Sequence, residues 1–204
     1  MHHYRRSVLT QTITSQRPFE SGQDPISPNR NLAPLTTTLD DQDRLVVGGC
    51  RLSELAQRYG TPLYVLDEET LRAACRAYRD ALERHYAGPS LPIYASKANS
   101  SLLMSSLVAS EQFGLDAVSA CELLTALQGG MPGDRMVLHG NNKSDEELLL
   151  AYRNNVTIVV DNHHDLDRLA ELIPADADPA RLMLRFTPGI ECHTHEYIRT
   201  GHLD

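Results

Sequence analysis

The chain predicts an α/β fold of parallel strands joined by crossover helices, and three observations lead there. Short apolar runs begin at residues 91, 115, 135, 156 and 181, twenty to twenty-five residues apart. Helix-compatible stretches fill the gaps, at about 99–112, 120–128, 145–153 and 164–173. Turn chemistry punctuates the joins: Gly129-Gly130 and Pro132-Gly133 stop one helix, and Ser144 with Glu147 three residues on matches a capping box opening another. Alternation at this period is that of an eight-unit barrel or of a doubly wound sheet, and it suits both.

Residues 1–42 read as a disordered polar extension. The first nineteen lack Asp and Glu and carry Arg5, Arg6 and Arg17, a composition shared with organelle-targeting segments. Pro18, Pro25, Pro28 and Pro34 favour the plainer disordered leader. Order is expected from near Asp43. Arg44–Val47 make a short strand, Gly48-Gly49 a turn, and Leu52 to Tyr59 a brief helix stopped by Gly60. Pro62 to Leu66 reads as a second apolar strand. Asp67 caps the following helix, whose Leu71, Ala74, Cys75, Tyr78 and Leu82 recur at helical spacing. The run at 91–96 is too short for a helix and is bounded by Gly88-Pro89 and Asn99-Ser100, so it reads as a buried strand. The runs at 115–118, 135–139, 156–160 and 181–186 continue the pattern from residue 43 to residue 204. A barrel takes ~250 residues, and an unfinished one leaves two strand edges bare. The chain is therefore expected to be a fragment of a longer protein or to need a partner.

Net charge is −8 with no lysine-rich run, so no nucleic-acid partner is expected. No stretch approaches the ~18 consecutive apolar residues that span a bilayer, and no membrane partner is expected either. Cys50, Cys75, Cys121 and Cys192 are scattered without metal-ligand spacing, which fits a reducing, cytoplasmic setting.

Two lysines, Lys97 and Lys143, stand against seventeen arginines. Lys97 falls where the run at 91–96 gives way to a helix, the end of the sheet that carries chemistry in strand–helix folds. A partly desolvated lysine amine condenses with aldehydes, most often pyridoxal phosphate. The plain alternative is a rim lysine with its head in water. Asp116 closes the next apolar run and Glu122 opens the helix after it. Carboxylates there stabilise a protonated imine, and a helix start favours an acid without any ligand. His139-Gly140-Asn141-Asn142-Lys143-Ser144 is either a ligand-facing cluster or an ordinary polar turn. Arg185 lies inside the run Leu182–Phe186, where a guanidinium needs an acid, and Asp116 and Glu122 are the expected partners. Cys192, His193, His195 and His202 crowd more closely than zinc ligands do, so no metal is expected. A histidine there suits acid–base or stacking work beside a cofactor.

Taken together, Tyr94-Ala95-Ser96-Lys97-Ala98-Asn99, Leu115-Asp116-Ala117-Val118-Ser119 with Glu122, His139 to Ser144, and Thr187-Pro188-Gly189 resemble the fold-type III pyridoxal-phosphate decarboxylases. Asn141-Asn142-Lys143-Ser144 and Thr194 to Gly201 are similar to the diaminopimelate branch of that family. The resemblance runs from about Arg44 to the last residue. It implies a TIM-type (β/α) barrel, here incomplete, that ends before a β-rich carboxy-terminal domain into which Arg44–Val47 pairs. It implies pyridoxal 5'-phosphate on Lys97, with Asp116, Glu122, His139 and Arg185 beside the cofactor and His195 toward the substrate. The implied reaction is decarboxylation of meso-diaminopimelate to L-lysine, on a small amino-acid substrate, in a homodimer of the complete protein. The family's glycine-rich phosphate loop, its stacking histidine, the glutamate at the pyridine nitrogen and its Cys-Glu-Ser acid have no counterpart in these 204 residues. The fragment alone is accordingly expected to bind cofactor weakly and not to turn over. The alternatives are a non-catalytic pyridoxal-phosphate carrier and an ornithine or arginine decarboxylase.

Overall fold

Ordered structure begins before Asp43. The computed structural model describes residues 17–18 and 32–186, in two units, Met1–Ala77 and Tyr78–Asp204. The first unit holds a four-stranded antiparallel sheet: β1 (Arg17–Pro18), β2 (Thr38–Leu39), β3 (Leu45–Val47) and β4 (Cys50–Arg51), paired in that order. Residues 32–42, assigned from sequence to the disordered extension, thus carry β2 and a turn. The rest of that extension, apart from β1, lies outside the described residues. Proline spacing misses the reason for order here, which is one carboxylate. Asp40 is 2 % exposed and accepts from the backbone amides of Gln42 and Arg44 and from the guanidinium groups of Arg44 and Arg51, at 2.9–3.0 Å. Gly48 and Gly49 both take positive φ, as a two-residue hairpin turn between β3 and β4 requires.

Burial alone would raise the Asp40 carboxyl, but the amides of Arg44 and Gln42 and the two guanidinium groups hold it far below the usual carboxylate range. A depressed carboxyl contributes stability above its unfolded pKa, about 3.9, and loses it as pH falls below that. The difference in denaturation midpoint between the wild type and Asp40→Asn should therefore be widest near neutrality and shrink as pH drops below about 4. A difference that stays constant with pH would show that ionised Asp40 is not what pins the turn.

Helix α1 (Leu52–Tyr59) ends at Gly60, whose amide donates to Ala56 O at 2.9 Å with φ 82°. Helix α2 (Glu68–His85) is capped by Asp67, which accepts from the Thr70 amide at 3.0 Å. Both follow the sequence. Pro62–Leu66 does not: no strand forms there, and Leu63 to Leu66 are exposed, with Tyr64 at 97 %. An apolar run becomes a strand only where a neighbour pairs with it. Of the apolar face of α2, Cys75 alone is buried among the described residues.

The second unit is an arc of five parallel strands. β5 (Ile93–Ala95), β6 (Gly114–Ala117), β7 (Met136–Leu138), β8 (Thr157–Val160) and β9 (Leu182–Leu184) lie side by side in chain order. Between them run α3 (Leu102–Ser110), α4 (Ala120–Gln128), α5 (Asp145–Arg153) and α6 (His163–Leu172). A doubly wound sheet reverses strand order at a switch point. This sheet does not, so its winding is that of a barrel. Leu115, Ala117, Met136, Leu138 and Ile158 of the strands pack with Val108, Leu123, Ala126 and Leu148 of the helices in one buried layer. Gly114 opens β6 because a Cβ there would stand 2.5 Å from the Arg135 carbonyl.

Each crossover helix begins on a side-chain cap: Ser101, Ser119, Ser144 and Asn162. The Ser144–Glu147 capping box forms as its spacing predicts. Within the described residues β5 and β9 each have one strand neighbour, and Leu182, Met183, Leu184 and Phe186 are exposed. No described helix is long and apolar enough to cross a membrane.

Candidate active site

All the strand ends that carry polar side chains point the same way, because parallel strands with helical crossovers gather their carboxyl ends on one face. Lys97 is the middle residue of a 3₁₀ turn, Ser96–Ala98, that follows β5 directly. Asn99 anchors the turn: its carbonyl accepts from the Tyr94 hydroxyl at 3.2 Å and its side-chain oxygen from the Ser101 amide at 3.0 Å. The Lys97 side chain is exposed.

Pairing of β5 with β6 sets Ala95 opposite Asp116, two residues from the lysine. Asp116 Oδ1 is buried and has no hydrogen-bond partner among the described residues. Burial pushes the Asp116 carboxyl above the usual carboxylate range, and Glu122 adds to this against the opposing pull of His139 and Lys97. For an acid raised in the folded state, stability falls as pH climbs from the unfolded pKa, about 3.9, through the folded value. In the cofactor-free protein, Asp116→Asn should therefore gain on the wild type in denaturation midpoint as pH rises above about 4. A pH-independent difference would mean that Asp116 titrates normally.

Glu122 stands in the first turn of α4 but is more than a dipole partner. Its Oε2 accepts from the Val118 amide at 2.8 Å and lies 2.6 Å from Ser96 Oγ. His139 follows β7 and its amide donates to the Ala117 carbonyl at 2.8 Å, which extends the ladder toward Asp116. Lys97, Asp116, Glu122 and His139 are thus brought together from the ends of three adjacent strands.

Arg185 is not part of that group. It lies beyond β9, 42 % exposed, and its guanidinium pairs with Asp161 at 3.1 Å, not with Asp116 or Glu122. Two strands separate β9 from β6, and the carboxylate at the end of the adjacent β8 lies nearer. His195, with Cys192, His193, His202 and the segments Thr187–Gly189 and Thr194–Gly201, lies outside the described residues. Among the described residues no cluster of His, Cys, Asp and Glu is arranged to hold a metal.

Two features escaped the sequence. Lys143 is buried, its side chain 1 % exposed, with Nζ 2.7 Å from Asp165 Oδ2 and 2.5 Å from the Gly140 carbonyl. Asp165 falls in the helical stretch expected at about 164–173, which carries no sign of this pair. Ser96, 2 % exposed, bridges β6 and α4 beneath the lysine turn. A serine before a lysine carries no distinguishing signal.

Comparison with known proteins agrees with this geometry. The family model for the pyridoxal-dependent decarboxylase, pyridoxal binding domain, matches residues 68–204. A diaminopimelate decarboxylase of Synechocystis sp. is 46 % identical over 186 residues, covering 87 % of this chain and 40 % of that protein. One from Bacillus methanolicus is 42 % identical over 170 residues, 83 % of this chain and 39 % of its own length. Among solved structures, diaminopimelate decarboxylase from M. jannaschii in co-complex with L-lysine superposes with a TM-score of 0.72 at 31 % identity, over 80 % of this chain and 38 % of that one. The chain spans about two fifths of the length of the relatives it matches. On the family match, which takes in every strand of the parallel arc, the chain belongs to the pyridoxal-dependent decarboxylases.

Proposed function

We propose that the complete protein carrying this chain is a pyridoxal-phosphate-dependent carboxy-lyase that converts meso-diaminopimelate to L-lysine. The observation that carries this is the contrast between the two lysines: Lys97 is exposed at the end of β5, whereas Lys143 is buried and paired. Only an amine that an aldehyde can reach condenses with it. The residues present fit the cofactor, since the orphaned Asp116 Oδ1 offers a buried acceptor beside that amine. The relatives that bear the diaminopimelate decarboxylase name, and the structure with L-lysine bound, support the substrate.

In this reading Lys97 would hold the cofactor through Nζ, and that exposed amine would be the group placed to hold or deliver a proton. Asp116, whose ionised form the Lys97 charge favours against burial, would stand on the same strand-end face as that nitrogen, with His139 following β7 on it. Bound there, pyridoxal phosphate supplies an electron sink for the pair left behind when carbon dioxide departs. The α-carbon exchanges a carboxylate for a proton, so diaminopimelate leaves as lysine. The resemblance further supports a homodimer as the working state of the complete protein.

The test is made on the complete protein. It is incubated with pyridoxal phosphate, reduced with borohydride and digested, and the tagged peptide is located by mass, while carbon dioxide release is followed with meso-diaminopimelate, ornithine and arginine. Label on Lys97 with turnover of diaminopimelate supports the assignment. Turnover of ornithine or arginine alone refutes the substrate, label without turnover of any of the three indicates a carrier, and label on Lys143 or nowhere refutes the site.

A further inference from the structure

Ser96 Oγ sits 2.8 Å from the Asp116 carbonyl and 2.6 Å from Glu122 Oε2. A hydroxyl carries one hydrogen, while a carbonyl and a carboxylate oxygen both accept. One proton is therefore held between two acceptors on two different elements, β6 and the first turn of α4. Glu122 Oε2 is held in turn by the Val118 amide at 2.8 Å, so the carboxylate cannot swing away without releasing the end of β6. The group at the centre of these contacts is buried, and the next residue in the chain is Lys97. The 3₁₀ turn that presents the lysine has no side-chain cap at its start; Asn99 anchors its far end, and this hydroxyl ties its start to β6 and α4.

We infer that Ser96 is a positioning residue for Lys97: its hydroxyl, shared between the Asp116 carbonyl and the Glu122 carboxylate, holds the lysine-bearing turn in register with β6. The inference rests on the assignment of Lys97 as the cofactor-anchoring amine. Its physical content is orientational. A lysine stem has four rotatable carbons, and an amine at the end of a turn free to rock spends less of its time where an aldehyde is attacked. With the turn tied to β6, the Lys97 backbone is fixed two residues from the position opposite Asp116. Asp116, on which the Lys97 charge acts, then faces it at constant separation. Glu122 gains a role through this contact that its place at a helix start does not explain.

Ser96→Ala in the complete protein tests this. The quantity read is the pyridoxal phosphate concentration that gives half-maximal borohydride-fixed label on Lys97, measured across pH in protein freed of cofactor. Loss of a hydrogen bond to a charged group corresponds to about a tenfold rise in that concentration. The pH profile of trapping is expected to change shape with it, because Lys97 and Asp116 no longer act on each other at a fixed separation. A merely structural role would lower the melting temperature and leave the profile of the folded protein unmoved. Ser96→Cys, close in shape with only a weak donor, replaces the alanine variant if that one does not fold. A variant that folds and matches the wild type in both half-trapping concentration and pH profile overturns the inference. Absence of Lys97 label in the wild type overturns instead the assignment of the lysine on which it stands.

Discussion

Replacing Lys97 with alanine in the complete protein is expected to remove the borohydride-fixed cofactor and to cut carbon dioxide release by about 10²–10⁴-fold, the range for losing a positioned proton-transferring side chain. The expectation follows from what the alternatives lack. Lys143 lies buried against Asp165 and the Gly140 carbonyl, so no second lysine of these 204 residues is free to take over. Arginine is no substitute, because a guanidinium keeps its proton and does not condense with an aldehyde, so Lys97→Arg should be as inactive as Lys97→Ala. Both variants should melt close to the wild type when cofactor-free, since the Lys97 side chain is exposed and substitutions at such positions usually change stability by no more than about 0.5 kcal/mol. Activity and trapped cofactor are the measurements. A Lys97→Ala protein retaining both would mean that the anchor lies elsewhere.

Lys143→Met is expected to destabilise the complete protein by about 3–5 kcal/mol, the cost of leaving one member of a buried ion pair without its partner. Asp165 is equally buried and also accepts from the Asp161 amide, so it has nowhere to go when the ammonium is removed. Changing both residues together, Lys143→Met with Asp165→Leu, should recover much of the loss, because a well-packed apolar pair often matches a buried ion pair. Denaturant midpoints of the two single variants and the double variant form the cycle. A single-variant loss below about 1 kcal/mol would place the pair in the range of solvent-exposed bridges instead. The pair also closes the loop at the end of β7 through Gly140, so the variant should need more pyridoxal phosphate to label Lys97 if His139 loosens with that loop.

Much of the parallel unit could be read in advance because its signals are local. The helices at 120–128 and 145–153 form with those bounds, since the Gly129-Gly130 stop, the Ser144–Glu147 box and the apolar spacing are local signals. The run at 115–118 becomes Gly114–Ala117, shifted by one residue. Pro62–Leu66 has equally apolar composition and makes no strand. The order of residues 32–42 was hidden because Asp40 gathers donors from as far along the chain as Arg51, and proline spacing carries no trace of them. At the site, Lys97, Asp116, Glu122 and His139 came from motifs at strand ends. Arg185 was drawn to the wrong acid because its apolar surroundings in sequence implied burial, whereas the β9 end is open and Asp161 is at hand.

By itself the sequence determined the alternation of strands and helices, the Ser144–Glu147 capping box that starts one crossover, and the presence of a lysine where a strand gives out. These depend on residues within one or two turns of each other. Tertiary structure alone decided that the strands lie in chain order as in a barrel, that Ala95 faces Asp116, and that Lys97 is open while Lys143 is closed off. Strand order and burial are set by contacts between residues some twenty or more positions apart, and no local pattern of side chains encodes which of two chemically identical amines is left in reach of solvent.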